Sequence, residues 1–482
     1  MESTSKEFRK YAHQFVDWMA DYMDNIENYP VKSQVVPKEI YNQIEDSIPN
    51  QGEDIETIFN DFVNIIMPGV THWQSPNFYA YFPANTSPPS ILAEMLTATL
   101  GIQGMKWETS PASTELEERM MEWIQKCIGI PNNWVGVIHD SASSATLASI
   151  LTAREQKSTF RINETGFEKD TKFRVYCSEE THSSIEKGAK IAGIGRANVI
   201  KIPTDQTLRL RPEVLLQKIK EDIKNGYKPL CIVAAIGTTG TTAIDPLNEI
   251  ADIAEKFKIW LHVDAAYAGS VLLLPEFHHY LNGIEKADSF VFNPHKWLFT
   301  NFDCSAYFVK DKNALVNTFE ILPEYLKTKT DGSVNNHCDW GVPLGRRFRS
   351  LKLWFVMRNY GLVGLQKKLR NHIELARWFE NEIAKLPEFE LVVPRNINLI
   401  CFRFKPQKFK DVEVLNRINE SLMHDLNDSG KIYLTHTKVN DIYTLRLVIG
   451  QTNVSERHVE NTLQLIIEKA TKTFKKYNRE VY

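Results

Sequence analysis

The order of apolar runs predicts an α/β protein: a central, mostly parallel sheet with a helical N-terminal segment before it and a small α+β domain after it. Three observations carry that reading. From about residue 134 to 292, short β-type runs alternate with helical patterns, as in chains of βαβ units whose sheet is covered on both faces. Ahead of that region, aromatic residues recur at three- and four-residue steps. After Pro387, strand-like runs come first and a helix last. At 482 residues the chain is too long for one simple core. The expected division is 1–85, 86–380 and 381–482.

The N-terminal stripe is Phe8, Tyr11, Phe15, Trp18 and Tyr22, an amphipathic helix suited to packing against another subunit. A second helix is expected over 54–66. Residues 72–83 are rich in aromatics but are broken by prolines. They fit either a wall for a flat apolar group or a buried connector. Helices are expected at 89–99 and 113–127. Strands then fall at 134–138, 173–177, 197–200, 230–236, 260–263 and 290–292, with helices at 145–154, 184–191, 212–224 and 247–256 between them. Residues 328–339 are polar and lack a period, as a mobile loop or lid would. Helices follow at 346–360 and 365–386. The last domain reads as strands at 389–393, 399–404, 432–435 and 443–449, closed by a helix opened by Ser455-Glu456.

Composition narrows the function classes. Hydrophobic residues make up 43% and charged residues 24%, with a net charge of -3, an ordinary globular balance. No basic block calls for nucleic acid or an anionic membrane. No apolar stretch approaches the roughly 18 residues of a membrane span, and the first residues lack the apolar core of a signal peptide. The six cysteines are scattered, without CxxC or metal-type spacing, which reads as free thiols in a reducing compartment. A cytoplasmic protein without a bound metal is expected.

In parallel sheets, ligands sit beyond the carboxyl ends of the strands, so the residues just past each run are candidates for one shared site. Past Ile138 come His139-Asp140-Ser141-Ala142-Ser143-Ser144, small hydroxyl residues turning into a helix, as an anion cradle would. Past Cys177 comes His182, and past Ile236 the Gly237-Thr238-Thr239-Gly240 turn. Past Val263 comes Asp264, and past Phe292 come Asn293-Pro294-His295-Lys296-Trp297. Singly, each has a plainer reading: a helix cap for Asp264, a structural histidine for His182, a surface lysine for Lys296. Together they match one ligand. A phosphate cradle, a ring to stack, an acid for a ring nitrogen and an amine for an aldehyde point to pyridoxal 5'-phosphate.

Five stretches carry a closer resemblance. They are Ser75 to Pro83, Ser110 to Glu117, His262 to Tyr267, Asn293 to Trp297 and Pro343 to Arg349. In this order they resemble the group II pyridoxal-phosphate decarboxylases, the aromatic L-amino acid decarboxylase family. The resemblance implies the aspartate-aminotransferase-like fold type I of pyridoxal-phosphate enzymes. It also implies a homodimer with N-terminal helices wrapped over the partner and active sites at the interface. The implied reaction takes an aromatic L-amino acid (phenylalanine, tyrosine, tryptophan or DOPA) to its arylalkylamine and carbon dioxide.

Position by position, Lys296 matches the lysine that carries the cofactor, and Asp264 the partner of its ring nitrogen. Ala266 and His182 match the residues on the two ring faces. Ser141, Ala142, Ser143, Asn293 and His295 match the phosphate end, and Thr239 a threonine near the ring. The substrate pocket would use Trp73, Tyr81, Phe82, Pro83, Ala84 and His182, completed from the other subunit by Gln103 and Met105. The aromatic segment makes glutamate a poorer substrate class. Intact Lys296, Asp264 and His182 argue against a relative that binds cofactor without catalysis.

One departure stands out. In these decarboxylases the loop carries a tyrosine, held to protonate the substrate carbon after carbon dioxide leaves. The loop here reads Asn335-Asn336-His337-Cys338-Asp339-Trp340, with His337 in the place matched to that tyrosine. Relatives with phenylalanine there are similar to aldehyde synthases. His337 is therefore a candidate proton donor, and oxidative formation of the aldehyde is the alternative outcome.

Overall fold

The computed structural model describes residues 4–321 and 332–480. The chain divides into two compact units, Ala84–Glu374 with Val393–Leu399, and Met1–Pro83 with Leu375–Val392 and Ile400–Tyr482.

The larger unit is built on β1 (Val135–His139), β2 (Phe173–Ser178), β3 (Val199–Ile202), β4 (Lys228–Ala235), β5 (Trp260–Asp264), β6 (Ser289–Phe292) and β7 (Ser305–Val309). Among the described residues these form one seven-stranded sheet in the order β1-β7-β6-β5-β4-β2-β3. Pairings from β3 through β6 are parallel, while β7 runs antiparallel to both β1 and β6. The inner strands read as continuous apolar runs because both faces are covered. The helix Ala142–Lys157 packs across β1 and β4 to β7, and the helices Pro212–Lys224 and Leu247–Phe257 pack on β4. Phe290 and Phe292 have no exposed surface. Burial of each side chain contributes about 1.5–3 kcal/mol, which anchors a four-residue strand directly before a polar segment.

Most expected elements are present, with shifted ends. The helix Pro111–Ile128 starts two residues before the expected 113, because Ser110 is its cap and accepts from the Ser113 amide, with Pro111 in the first turn. The helix Arg349–Ala384 is interrupted at Gly361, whose φ of 62° is left-handed; this matches the gap between the two helices expected there. β7 was not expected. It joins β6 without a crossover helix of ordinary length, so the alternating pattern offered no cue to it.

The smaller unit carries β8 (Phe389–Leu391), β9 (Leu399–Phe404), β10 (Thr435–Val439) and β11 (Ile442–Val448), in the order β10-β11-β9-β8. The helix Val412–Asn427, absent from the sequence reading, packs on β11 and on the final helix Glu456–Glu480. Residues 1–83 belong to this same unit. Tyr79 lies in its core; its amide donates to the Tyr433 carbonyl and its carbonyl accepts from the Val448 amide. The N-terminal helix Ser5–Asp24 opens on a capping box between Thr4 and Glu7. Its Phe15 stacks on Phe59 at 4.7 Å, and Trp18 meets Phe59 and Phe62 edge-on. The stripe thus has a partner within its own chain, yet no residue of the helix is buried. No helix among the described residues is long and apolar enough to cross a membrane.

Candidate active site

The register of the parallel strands sets the site's base. Ala235 pairs with Asp264, and Asp264 with Val291, so the ends of β4, β5 and β6 lie along one edge. Asp264 closes β5 and caps no helix: its Oδ1 accepts from the Ala266 amide at 3.0 Å. Lys296 sits in the single turn Pro294–Trp297 that follows β6. Burial of its amine pushes the lysine pKa down, against the opposing pull of the Asp264 carboxylate. Partial desolvation of its ring likewise lowers His182, although the residue as a whole is open to solvent, helped by Lys296 and offset by Asp264. The Ser184 amide donates to His182 Nδ1 at 3.1 Å, which leaves the neutral ring its proton on Nε2. Lys296, Asp264 and His182 therefore form one electrostatic set drawn from the ends of three strands.

This base is braced from behind. Tyr267 and Trp297, one beyond each strand end, stack at 5.2 Å. Trp297 Nε1 donates to His372 at 2.9 Å, and Asn398 Nδ2 donates to the Tyr267 hydroxyl at 2.6 Å. Asn85, which the sequence reading did not single out, ties its amide to the His295 carbonyl at 3.1 Å and its Nδ2 to the Lys296 carbonyl at 2.9 Å. Nothing in the local pattern around Asn85 marks that role, because both partners are backbone groups some 210 residues away.

At the far end, Ser141 caps the helix Ala142–Lys157, accepting from the Ser144 amide at 3.2 Å. Asn293 and His295 are buried. Burial, and then the Lys296 charge, push His295 down to about 3, so its ring is neutral. Ser143, His182 and Thr239 are exposed, while Asp264, Ala266 and Lys296 are half-buried. The donor set fits pyridoxal phosphate: a desolvated amine suits an aldehyde, a carboxylate on the next strand suits a basic ring nitrogen, and neutral donors at a helix start suit a phosphate. Among the described residues, no group of three or more His, Cys, Asp and Glu side chains could hold a metal ion.

The expected substrate residues fall into two groups. In the smaller unit, Trp73 stacks on Tyr81 at 5.7 Å and packs on Phe78 at 4.4 Å. The Tyr81 hydroxyl lies 3.2 Å from that of Tyr433, and Arg446 sits over the Phe82 ring at 5.6 Å. Tyr81 has a φ of 51°, an uncommon conformation for a side-chain-bearing residue, and is itself 48% exposed. Pro83 is buried. In the larger unit, Ala84 is half-buried. There, Gln103 Oε1 accepts from the Arg346 amide at 2.7 Å, and the Met105 carbonyl accepts from the Cys338 amide at 2.9 Å.

His337 is 2% exposed, and among the described residues neither ring nitrogen has a hydrogen-bond partner. Burial pushes it down to about 4 despite Glu117, whose Oε1 is 3.8 Å away. Its electrostatic neighbours are Glu117, Arg346, Lys312 and His139, a different set from that of Lys296. His337 lies beside Cys338, whose amide holds Met105, so it adjoins the strip at residues 103–105 expected to serve a second subunit, and as a neutral imidazole it is a poor acid. Residues 328–331 of the expected loop lie outside the described residues.

The group that His337 joins was also missed. Glu117 accepts from the Ile138 amide at 2.8 Å and from Arg346 Nη2 at 2.7 Å, and the same Nη2 reaches the Ile138 carbonyl. Burial alone would raise the Glu117 pKa; Arg346, His337 and these hydrogen bonds bring it below its ordinary value. A signal existed: Glu117 shares a helix face with the buried Met120, Met121 and Ile124, where a lone carboxylate has to find a partner. Glu117→Ala strands a buried guanidinium, and the expected cost is about 3–5 kcal/mol. Denaturant unfolding of the variant measures it.

Comparison with known proteins gives a consistent result. The family model for the pyridoxal-dependent decarboxylase conserved domain matches residues 37–405. Tryptophan decarboxylase 2 of Oryza sativa subsp. japonica is 42% identical, over 98% of this chain and 96% of its own. Phenylacetaldehyde synthase of Petunia hybrida is also 42% identical, over 97% and 94%. The crystal structure of Oryza sativa TDC with PLP and tryptamine aligns with a TM-score of 0.95 at 35% identity, covering 98% of this chain and 99% of that one.

Proposed function

The chain belongs to the pyridoxal-dependent decarboxylase family, and from that premise we propose that it removes the carboxylate of an aromatic L-amino acid, releasing the arylalkylamine and carbon dioxide. It is a carboxy-lyase that uses pyridoxal phosphate. The observation that carries the assignment to this site is the desolvated Lys296 amine within reach of the Asp264 charge and His182.

When bound, pyridoxal phosphate supplies a sink for the electron pair left behind as the carboxylate departs. Lys296 would hold it through its amine, a role open only to a lysine that can lose its proton. Asp264 would keep a proton on the ring nitrogen. His182 would lie on one ring face and Ala266 on the other, with Thr239 nearby. Ser141, Ala142, Ser143, Asn293 and His295 would hold the phosphate. The resemblance assigns the substrate side chain to Trp73, Tyr81, Phe82, Pro83 and Ala84, with Gln103 and Met105 serving the site of a second subunit. Six scattered free cysteines support a cytoplasmic location, and a homodimer agrees with the unburied N-terminal helix, whose Phe8 is 66% exposed.

The second reading, aldehyde formation, draws on the equal identity to a phenylacetaldehyde synthase and on His337. Enclosed and neutral, His337 is poorly suited to deliver the proton, and we assign it to packing against Glu117 and Trp340. The test is product analysis with phenylalanine, tyrosine, tryptophan and DOPA, scoring amine against aldehyde, ammonia and peroxide. Amine is expected from the wild type. His337→Phe should leave the ratio unchanged. Aldehyde as the main wild-type product would overturn the amine reading.

A further inference from the structure

The entry into β7 treats Asn293 and His295 alike. The Cys304 amide donates to His295 Nδ1 at 2.9 Å, and the Ser305 hydroxyl donates to Asn293 Oδ1 at 2.6 Å. Asn293 and His295 are 2% and 3% exposed, and Cys304 and Ser305 are fully buried. A neutral histidine whose Nδ1 accepts an amide hydrogen carries its own proton on Nε2. An asparagine whose carbonyl oxygen is taken turns its NH2 group the other way. The hydrogen-bonding capacity left on each side chain is then a donor.

The turn that imposes this is itself fixed. Arg349 grips both carboxylate oxygens of Asp303 at 3.0 and 3.2 Å. The His295 amide donates back to the Cys304 carbonyl at 3.2 Å. β7 then pairs with β6 from Phe292 and Ala306 onward, so residues 304 and 305 cannot drift from 293 and 295.

We propose that Ser305 is a positioning residue which, with the Cys304 amide, fixes Asn293 and His295 as a pair of neutral donors for the cofactor's phosphate. The proposal rests on the assignment of those two residues to the phosphate end. It goes beyond that assignment in saying what makes them donors, and that an uncharged pair recognises the anion here.

The test uses the full chain freed of cofactor, titrated with pyridoxal phosphate and, separately, with pyridoxal, which lacks the phosphate. Ser305→Ala is expected to weaken pyridoxal phosphate binding roughly tenfold or more, as for loss of a well-oriented donor to a charged group. Binding of pyridoxal should stay within about twofold, and Ser305→Thr should restore the difference. In wild-type protein labelled with 15N-histidine, NMR should show His295 protonated at Nε2 and bare at Nδ1. Equal weakening toward both compounds, no weakening toward either, or a proton on His295 Nδ1 would each overturn the proposal. Wild-type protein that binds neither compound overturns the cofactor assignment itself, and this inference with it.

Discussion

Replacing Lys296 with alanine is expected to lower decarboxylation by at least roughly 10²–10⁴-fold, the range contributed by a positioned reactive side chain, while the fold survives. The reason for survival is local. The Lys296 amide bonds to the Asn293 carbonyl, and its carbonyl accepts from Asn85, so the backbone contacts do not need the amine. The reason for lost activity is electrostatic: burial has already made this amine easier to deprotonate, and alanine offers no nucleophile at all. Borohydride reduction followed by peptide mapping checks the assignment directly. Label should appear on the peptide containing Lys296 in wild type and on no peptide in the variant. Label on another lysine would move the site.

Asp264→Asn is the second large effect. It keeps the shape, and Oδ1 can still accept from the Ala266 amide, but it removes the charge that faces Lys296 and His182. Both groups should then titrate lower than in wild type, because each is raised by Asp264. The expected loss of turnover is roughly 10²–10³-fold, comparable to removing one preorganised electrostatic contact. The absorbance of bound cofactor should respond to pH differently from wild type, since no carboxylate holds the ring proton. Thermal stability should change little. A variant with wild-type turnover would show that Asp264 serves only to order the Asp264-Ala265-Ala266 turn.

Reading the residue just past each strand succeeded because parallel strands put their carboxyl ends along one edge. Asp264, Lys296 and His182 follow three apolar runs, and their separation in sequence disappears once the sheet forms. The same reasoning could not find Ser305 or the Cys304 amide, which enter from an antiparallel strand whose run of five residues is joined by no crossover helix. Glu117 and Arg346 were visible as motif members, but their pairing depends on a helix and a distant loop meeting over Ile138. His337 was legible as a departure from a pattern. Its enclosure was not, because burial depends on the distant helix that carries Glu117 meeting the turn His337–Trp340. Likewise, the two ends of the chain join in one unit through backbone bonds at Tyr79, which leave no trace in side-chain periodicity.

The strip at residues 103–105 is fastened in two different ways. Gly104 and Met105 are held by main-chain atoms, through the Arg346 carbonyl and the Cys338 amide, whereas Gln103 is held by its own side chain. Tolerance to change should therefore differ between adjacent positions. The side chain at 105 can be exchanged for a larger or smaller one without loosening any anchor of the strip, while a change at 103 also releases the Arg346 amide. If the strip lines a neighbouring subunit's pocket, Met105 is the adjustable position, open to redesign for a different aromatic ring at little cost to the fold.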